Sequence, residues 1–167
     1  MNEFEASVSR RFAYFVRNAR NIRLIGDTAR KARKRNDKDW GLDPELVAHN
    51  AAFDQWPNDL PADLQLSLPT DGSPPWLPTH FIGNMHSHYQ LGVLMLHRPQ
   101  LVASKAFDND LGWKRHMRRC YDSSKILCRL QEAILKHFGP PGLLCMQRGI
   151  NFTIYAILTC TMIHLVS

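Results

Sequence analysis

The stretch GNMHSHYQLGVLMLHRP, Gly83 to Pro99, holds His86, His88 and His97 in otherwise apolar text. Imidazole is a common metal ligand, so the H-x-H pair raises metal binding first. Helix geometry argues against it. Consecutive helical residues turn by about 100°, so His86 and His88 point to nearly opposite faces and cannot share an ion. His97 returns to the face of His86 only after roughly 16 Å along the axis. An i, i+2 pair shares a face on a strand, but the apolar spacing here has the helical period. The expectation is histidines satisfied within or beside a core helix. Asp108 and Asp110 form a D-x-D pair with a spacing used for divalent ions, although aspartates serve turns by capping local backbone groups. A helical metal enzyme would draw on His86, His88, Asp108 and Asp110. Nucleophilic catalysis would need Ser or Cys placed with His and a carboxylate, and the sequence has neither a G-x-S-x-G elbow nor a glycine-rich phosphate loop. It reads as non-enzymatic, with no catalytic residue, metal ligand or cofactor assigned.

The elements that must carry these residues are helical. Phe4, Val8, Phe12, Phe15, Ala19 and Ile22 recur at steps of three and four, which predicts one core-facing stripe, with Arg10, Arg11, Arg17 and Arg20 on the other faces. Beyond Gly26 the text DTARKARKRNDK has no such stripe and predicts a solvated extension or a loop. Within it, Arg30, Lys31, Arg33, Lys34 and Arg35 suit a nuclear-import signal or phosphate contact, or simply a solvated helix end. No aromatic residue is interleaved, so base stacking is not implied. Residues 1–38 carry eleven Lys/Arg against four Asp/Glu, whereas the remainder carries ten against eleven. The net charge of +6 therefore belongs to the N-terminal segment.

Asp43-Pro44 predicts a helix start, followed by Leu46, Phe53 and Trp56 on one face and an end at Pro57. Six of the ten prolines fall between Pro57 and Pro78. This predicts a long extended connection, a lid or a seam, pinned by Leu60, Leu64, Leu66 and Trp76. Thr79 caps the next helix, Phe81 to Arg98, which Pro99 is expected to stop. It is apolar nearly all round and so predicts a buried central helix. Trp113 to Phe138 reads as a long helix with Met117, Cys120, Tyr121, Ser124, Leu127, Ile134 and Phe138 on one side, punctuated by GPPG at 139–142.

Ile150 to Val166 contains no Asp, Glu, Lys or Arg, which is close to the length that spans a bilayer. Asn151, Thr153, Thr159, Thr161 and His164 dilute it, so a buried helix is expected. A rival reading makes the chain a small membrane-associated protein, with the basic N-terminal helix on an anionic surface and the last segment inserted. Cys120, Cys128, Cys145 and Cys160 form no C-x-x-C pair and sit in apolar text. Together with a start, MNEFEASVSRR, that lacks a secretory h-region, they lead to the expectation of a reducing intracellular compartment with cysteine used as a small core residue. The fold class is all-α: a basic amphipathic helix and linker over 1–41, and a multi-helix domain over 42–167.

Four pieces, in order, add a resemblance: FDQWPNDLPADLQL, HSHYQLGVLMLHRPQL, CYDSSKILCRLQEAI and GINFTIYAILTCTMIHLV. They resemble the regulatory domain, or middle homology region, of fungal binuclear zinc-cluster transcription factors, from about Pro44 onward. The most specific part is Tyr89 to Pro99. The resemblance implies an all-α regulatory domain acting in the nucleus on RNA polymerase II transcription, with a homodimer or other transcription-factor subunits as partners and a small-molecule effector as a further one. It places Tyr89, His97, Arg98 and Pro99 at motif positions with architectural roles. Arg98 is expected to reach exposed helix carbonyls or an acidic group where Pro99 ends the helix. The family's six-cysteine cluster, which carries zinc and contacts DNA, has no counterpart among four cysteines. DNA and zinc are thus expected only for full-length relatives, and the chain reads as a fragment of such a domain, with no membrane partner.

Overall fold

The computed structural model describes residues 2–34, 43–105, 112–145 and 150–166. The protein is all-α, as expected: α1 (Glu3–Lys34), α2 (Pro44–Gln55), α3 (His80–Lys105), α4 (Gly112–Leu144) and α5 (Ile150–Val166). No strand occurs among the described residues. Two compact units divide inside the proline-rich connection, Met1–Gln65 and Leu66–Ser167. Within the first, α2 packs on α1.

In the first unit, α2 begins as its residues predict: the Asp43 carboxylate accepts from the Glu45 and Leu46 amides at 2.9 and 3.3 Å. Leu46, Phe53, Trp56, Leu60 and Leu64 are buried. The enclosed indole of Trp56 donates Nε1–H to the Tyr14 carbonyl at 3.0 Å, satisfying its one polar atom.

For α1, one open reading is decided and one expectation needs correction. Of the solvated extension and the loop, the structure has the extension: the helix continues past Gly26 to Lys34, because Ala, Arg and Lys are good helix formers that need no apolar stripe to continue an existing helix. Its buried side is not the predicted one. Asn18, Ile25, Thr28 and Ala29 are buried, while Val8, Phe12 and Val16 are exposed; Phe12 stacks on Phe15 instead. The Phe4 side chain lies outside the described residues.

In the second unit α3 is the enclosed helix the sequence predicts: Ile82, Met85, Tyr89, Leu91, Val93 and Leu94 are buried. Thr79 Oγ1 accepts from the Ile82 amide at 3.4 Å. A Cβ on Gly83 would stand 2.7 Å from both Ile134 Cγ1 and Leu77 Cδ1, so α3 and α4 approach where only glycine fits. Polar ties cross the same seam: Asn84 Nδ2–H donates to the Gly142 carbonyl and Gln131 Nε2–H to Ser87 Oγ, both at 2.9 Å.

Pro99 does not stop α3, which runs on to Lys105. A proline inside a helix forfeits one hydrogen bond and crowds the preceding turn at a cost of about 3 kcal/mol. Continuation is compatible with that cost, because Gln100 to Lys105 contain neither glycine nor a second proline. The GPPG punctuation does act, since Gly139 leaves the helical region with φ of 66° inside the span assigned to α4.

Trp76 was expected to pin the connection, but it is 73% exposed and Leu77 is buried in its place. Instead, Arg129 donates to the Pro69 and Ser73 carbonyls at 2.7 and 2.6 Å, tying the segment to α4. Finally, α5 lays Phe152, Ala156, Cys160 and Ile163 into a core shared with Leu91, Leu94, Cys120 and Leu127. Among the described residues no helix is long and apolar enough to cross a membrane.

Candidate functional site

Residues four apart share a helix face. On α4 such a pair is Ser124 and Cys128; on α5 it is Cys160 and His164. The packing of α4 on α5 sets the two faces against each other around a cavity of about 400 Å³, whose wall includes Cys128, Gln131, Cys160 and His164 among aliphatic side chains. Cys160 is buried and Cys128 exposed, so only the latter has its sulfur within easy reach of solvent.

Hydrogen bonds order the polar atoms. Ser124 Oγ–H donates to the Tyr121 carbonyl at 2.8 Å, so towards His164 Nε2, 3.3 Å away, the hydroxyl acts as acceptor and Nε2 carries the hydrogen. The Cys160 thiol faces the Ser124 carbonyl at 3.7 Å and also hydrogen-bonds Cys128. That bond, reinforced by the charge and hydrogen bond of His164 against the opposing effect of burial, pulls the Cys128 thiol down to about 6. The same bond, burial and the adjacent negative sulfur push Cys160 far above the ordinary thiol range. The two thiols are thus pushed in opposite directions, Cys128 towards the thiolate and Cys160 towards the protonated form. Cys120 offers a contrast: burial pushes it up to about 11 and it is an enclosed core residue.

The sequence had placed its interest elsewhere. His86 is buried, and His88 stacks parallel on Phe152 with centroids 5.7 Å apart. His97 Nδ1 lies 2.8 Å from His116 Nδ1. Desolvation, with lesser repulsion from His116, Arg119 and Arg115, lowers His97 to about 4, so one neutral ring donates to the other. Among the described residues no group of three or more His, Cys, Asp or Glu is placed to hold a metal ion. Asp108 and Asp110 lie outside the described residues.

Of the motif positions, Tyr89 is buried and His97 joins α3 to α4. Arg98 is exposed, and because the helix continues past Pro99 it meets no run of orphaned carbonyls there; its charge acts on Cys120 instead. In the basic cluster Arg30 pairs with Asp27, while Lys31 and Lys34 border a recess with Thr28 and Glu45. Arg35 and the Arg33 side chain lie outside the described residues.

Reading all four cysteines as core residues is thus corrected for Cys128 and Cys145, which are exposed. The signal for the site was present as two i, i+4 pairs, S-x-x-x-C and C-x-x-x-H. Which faces meet was not. A second feature sits on the same helix: α5 exposes Ile154, Ile157, Leu158, Met162 and Leu165. Compared with known proteins, the chain matches no family model, no curated protein and no solved structure.

Proposed function

We propose that this chain is a non-catalytic regulatory domain of the fungal zinc-cluster transcription-factor type, acting in the nucleus through protein contacts to modulate RNA polymerase II transcription. The observation that carries this reading is the exposed apolar side of α5, where Ile154, Leu158, Met162 and Leu165 follow one another along the helix. Contiguous apolar surface of this kind suits a protein partner, whether a second copy or another transcription-factor subunit. The ordered motif resemblance adds support, as do Tyr89 and His97, which behave as packing positions. The α4–α5 cavity suits a small, largely apolar effector. Zinc and DNA contact belong, in this reading, to a six-cysteine module that this sequence does not contain.

The test is a tethering assay. Joined to an unrelated DNA-binding domain in a fungal host, the chain changes reporter transcription several-fold, and Leu158→Arg removes the change while circular dichroism stays helical. A folded chain whose reporter output equals that of the tether alone ends the reading. A second reading, membrane-surface attachment, draws support from Val8, Phe12 and Val16 exposed on α1 beside Arg17 and Arg20. Flotation of the intact chain with anionic phosphatidylserine vesicles would favour it.

A further inference from the structure

We propose that Cys128 is a peroxide-reactive thiol and that Cys160 resolves it, closing a disulfide between α4 and α5 beside His164. This goes beyond the regulatory reading and does not depend on it. Three observations converge. Both sulfurs and the His164 ring border one cavity of about 400 Å³, large enough to admit a small peroxide. The two helices hold both sulfurs on one wall, with the Cys160 thiol donating to the Ser124 carbonyl, one turn before Cys128, at 3.7 Å, so neither has to cross the interior to reach the other. And their exposures differ as an attacking and a resolving thiol require: Cys128 is exposed, Cys160 is 3% exposed.

The chemistry balances with hydrogen peroxide as oxidant. The Cys128 thiolate attacks one peroxide oxygen; an S–O bond forms, the O–O bond breaks, and the departing hydroxide takes a proton from the solvent that enters the cavity to leave as water. Cys128 is now a neutral sulfenic acid. Cys160 then passes its proton to His164 and attacks the Cys128 sulfur; the S–S bond forms, the S–O bond breaks, and the leaving hydroxide recovers that proton as a second water. Two thiols supply two electrons, and one peroxide becomes two waters.

The order of events follows from the environment. The hydrogen bond to Cys128 and the negative charge on it are two of the three causes that hold the Cys160 proton, and conversion of Cys128 to a neutral acid removes that charge. Exposure sets the same order, since Cys128 meets the oxidant from solvent while Cys160 is 3% exposed. His164 is a positioning and proton-handling residue, held by Ser124 at 3.3 Å.

The sequence makes the test direct, because trypsin places each cysteine on its own peptide: 120–125, 126–129, 137–148 and 149–167. The intact chain is treated with stoichiometric hydrogen peroxide at neutral pH, quenched with N-ethylmaleimide and digested without reduction. The expected product is 126–129 linked to 149–167, with the loss of two hydrogens. Cys160→Ala leaves Cys128 as a sulfenic acid that dimedone captures. His164→Gln slows oxidation of Cys128 by roughly tenfold, with exposed Cys145 as the internal reference. Cys128 reacting no faster than Cys145 overturns the proposal, and so does a linkage distributed among all four cysteines.

Discussion

Helices α3 and α5 are both read from the sequence as buried apolar helices, yet they end in different circumstances. α3 is enclosed on nearly every side between Ile82 and Leu94, whereas α5 is buried along one strip, Phe152, Thr153, Ala156, Thr159, Cys160 and Ile163. The difference is one of neighbours rather than composition. α4 packs on both helices, but α3 adds Gly83, Asn84 and Ser87 as close-approach and hydrogen-bonding positions on its seam with α4. α5 has no glycine and offers its partner a single strip. An apolar helix is thus a statement about transfer free energy, and how much of it is realised depends on how many surfaces meet it.

The contrast can be pressed first at its largest expected effect. Leu94 is fully enclosed, so Leu94→Ala costs about 3 kcal/mol of unfolding free energy through lost burial and the cavity left behind, read from the urea midpoint. Gly83→Ala comes next, at about 2 kcal/mol, because the added methyl meets Ile134 and Leu77 at 2.7 Å; unchanged stability would mean that the seam opens without cost.

A pH series on the same seam gives a smaller effect. His97 is held at about 4 in the folded chain against an ordinary 6.5. As pH falls below 6.5 the unfolded chain gains a proton that the folded one refuses, so stability declines between 6.5 and about 4 and is level above. The decline amounts to roughly 1 to 2 kcal/mol once partial exposure is allowed for. His97→Gln flattens it; a parallel curve would place the cause elsewhere. On α5 the smallest effect is expected. Leu158→Arg, on the exposed side, changes stability by about 0.5 kcal/mol or less. A loss as large as that of Leu94→Ala would show that the exposed side is covered in solution.

Much of the fold was legible because its signals are local. The Asp43 and Thr79 caps, the Gly139 break and the helical period of each segment depend on residues within one or two turns. Pro99 was misread because its bias is also local, yet the outcome depends on the helix formers on either side. The packed side of α1 was misread for a related reason. Apolar residues occupy more than one of its faces, and with Trp56 bound to the Tyr14 carbonyl, Val8 and Phe12 are left in solvent.

The thiol site marks the same boundary. Spacing alone sets Ser124 with Cys128 and Cys160 with His164, because 3.6 residues per turn puts every fourth residue on one side of a helix. That these two sides face each other is a property of the pairing of α4 with α5, and with it come the opposite shifts of the two thiols and the cavity they share. The sequence alone determined an all-α chain with its caps, its breaks and a basic N-terminal helix, since these follow from backbone sterics and residue periodicity. Only tertiary structure decided which faces are buried and which cysteine is reactive, since burial and charge are set by residues distant along the chain.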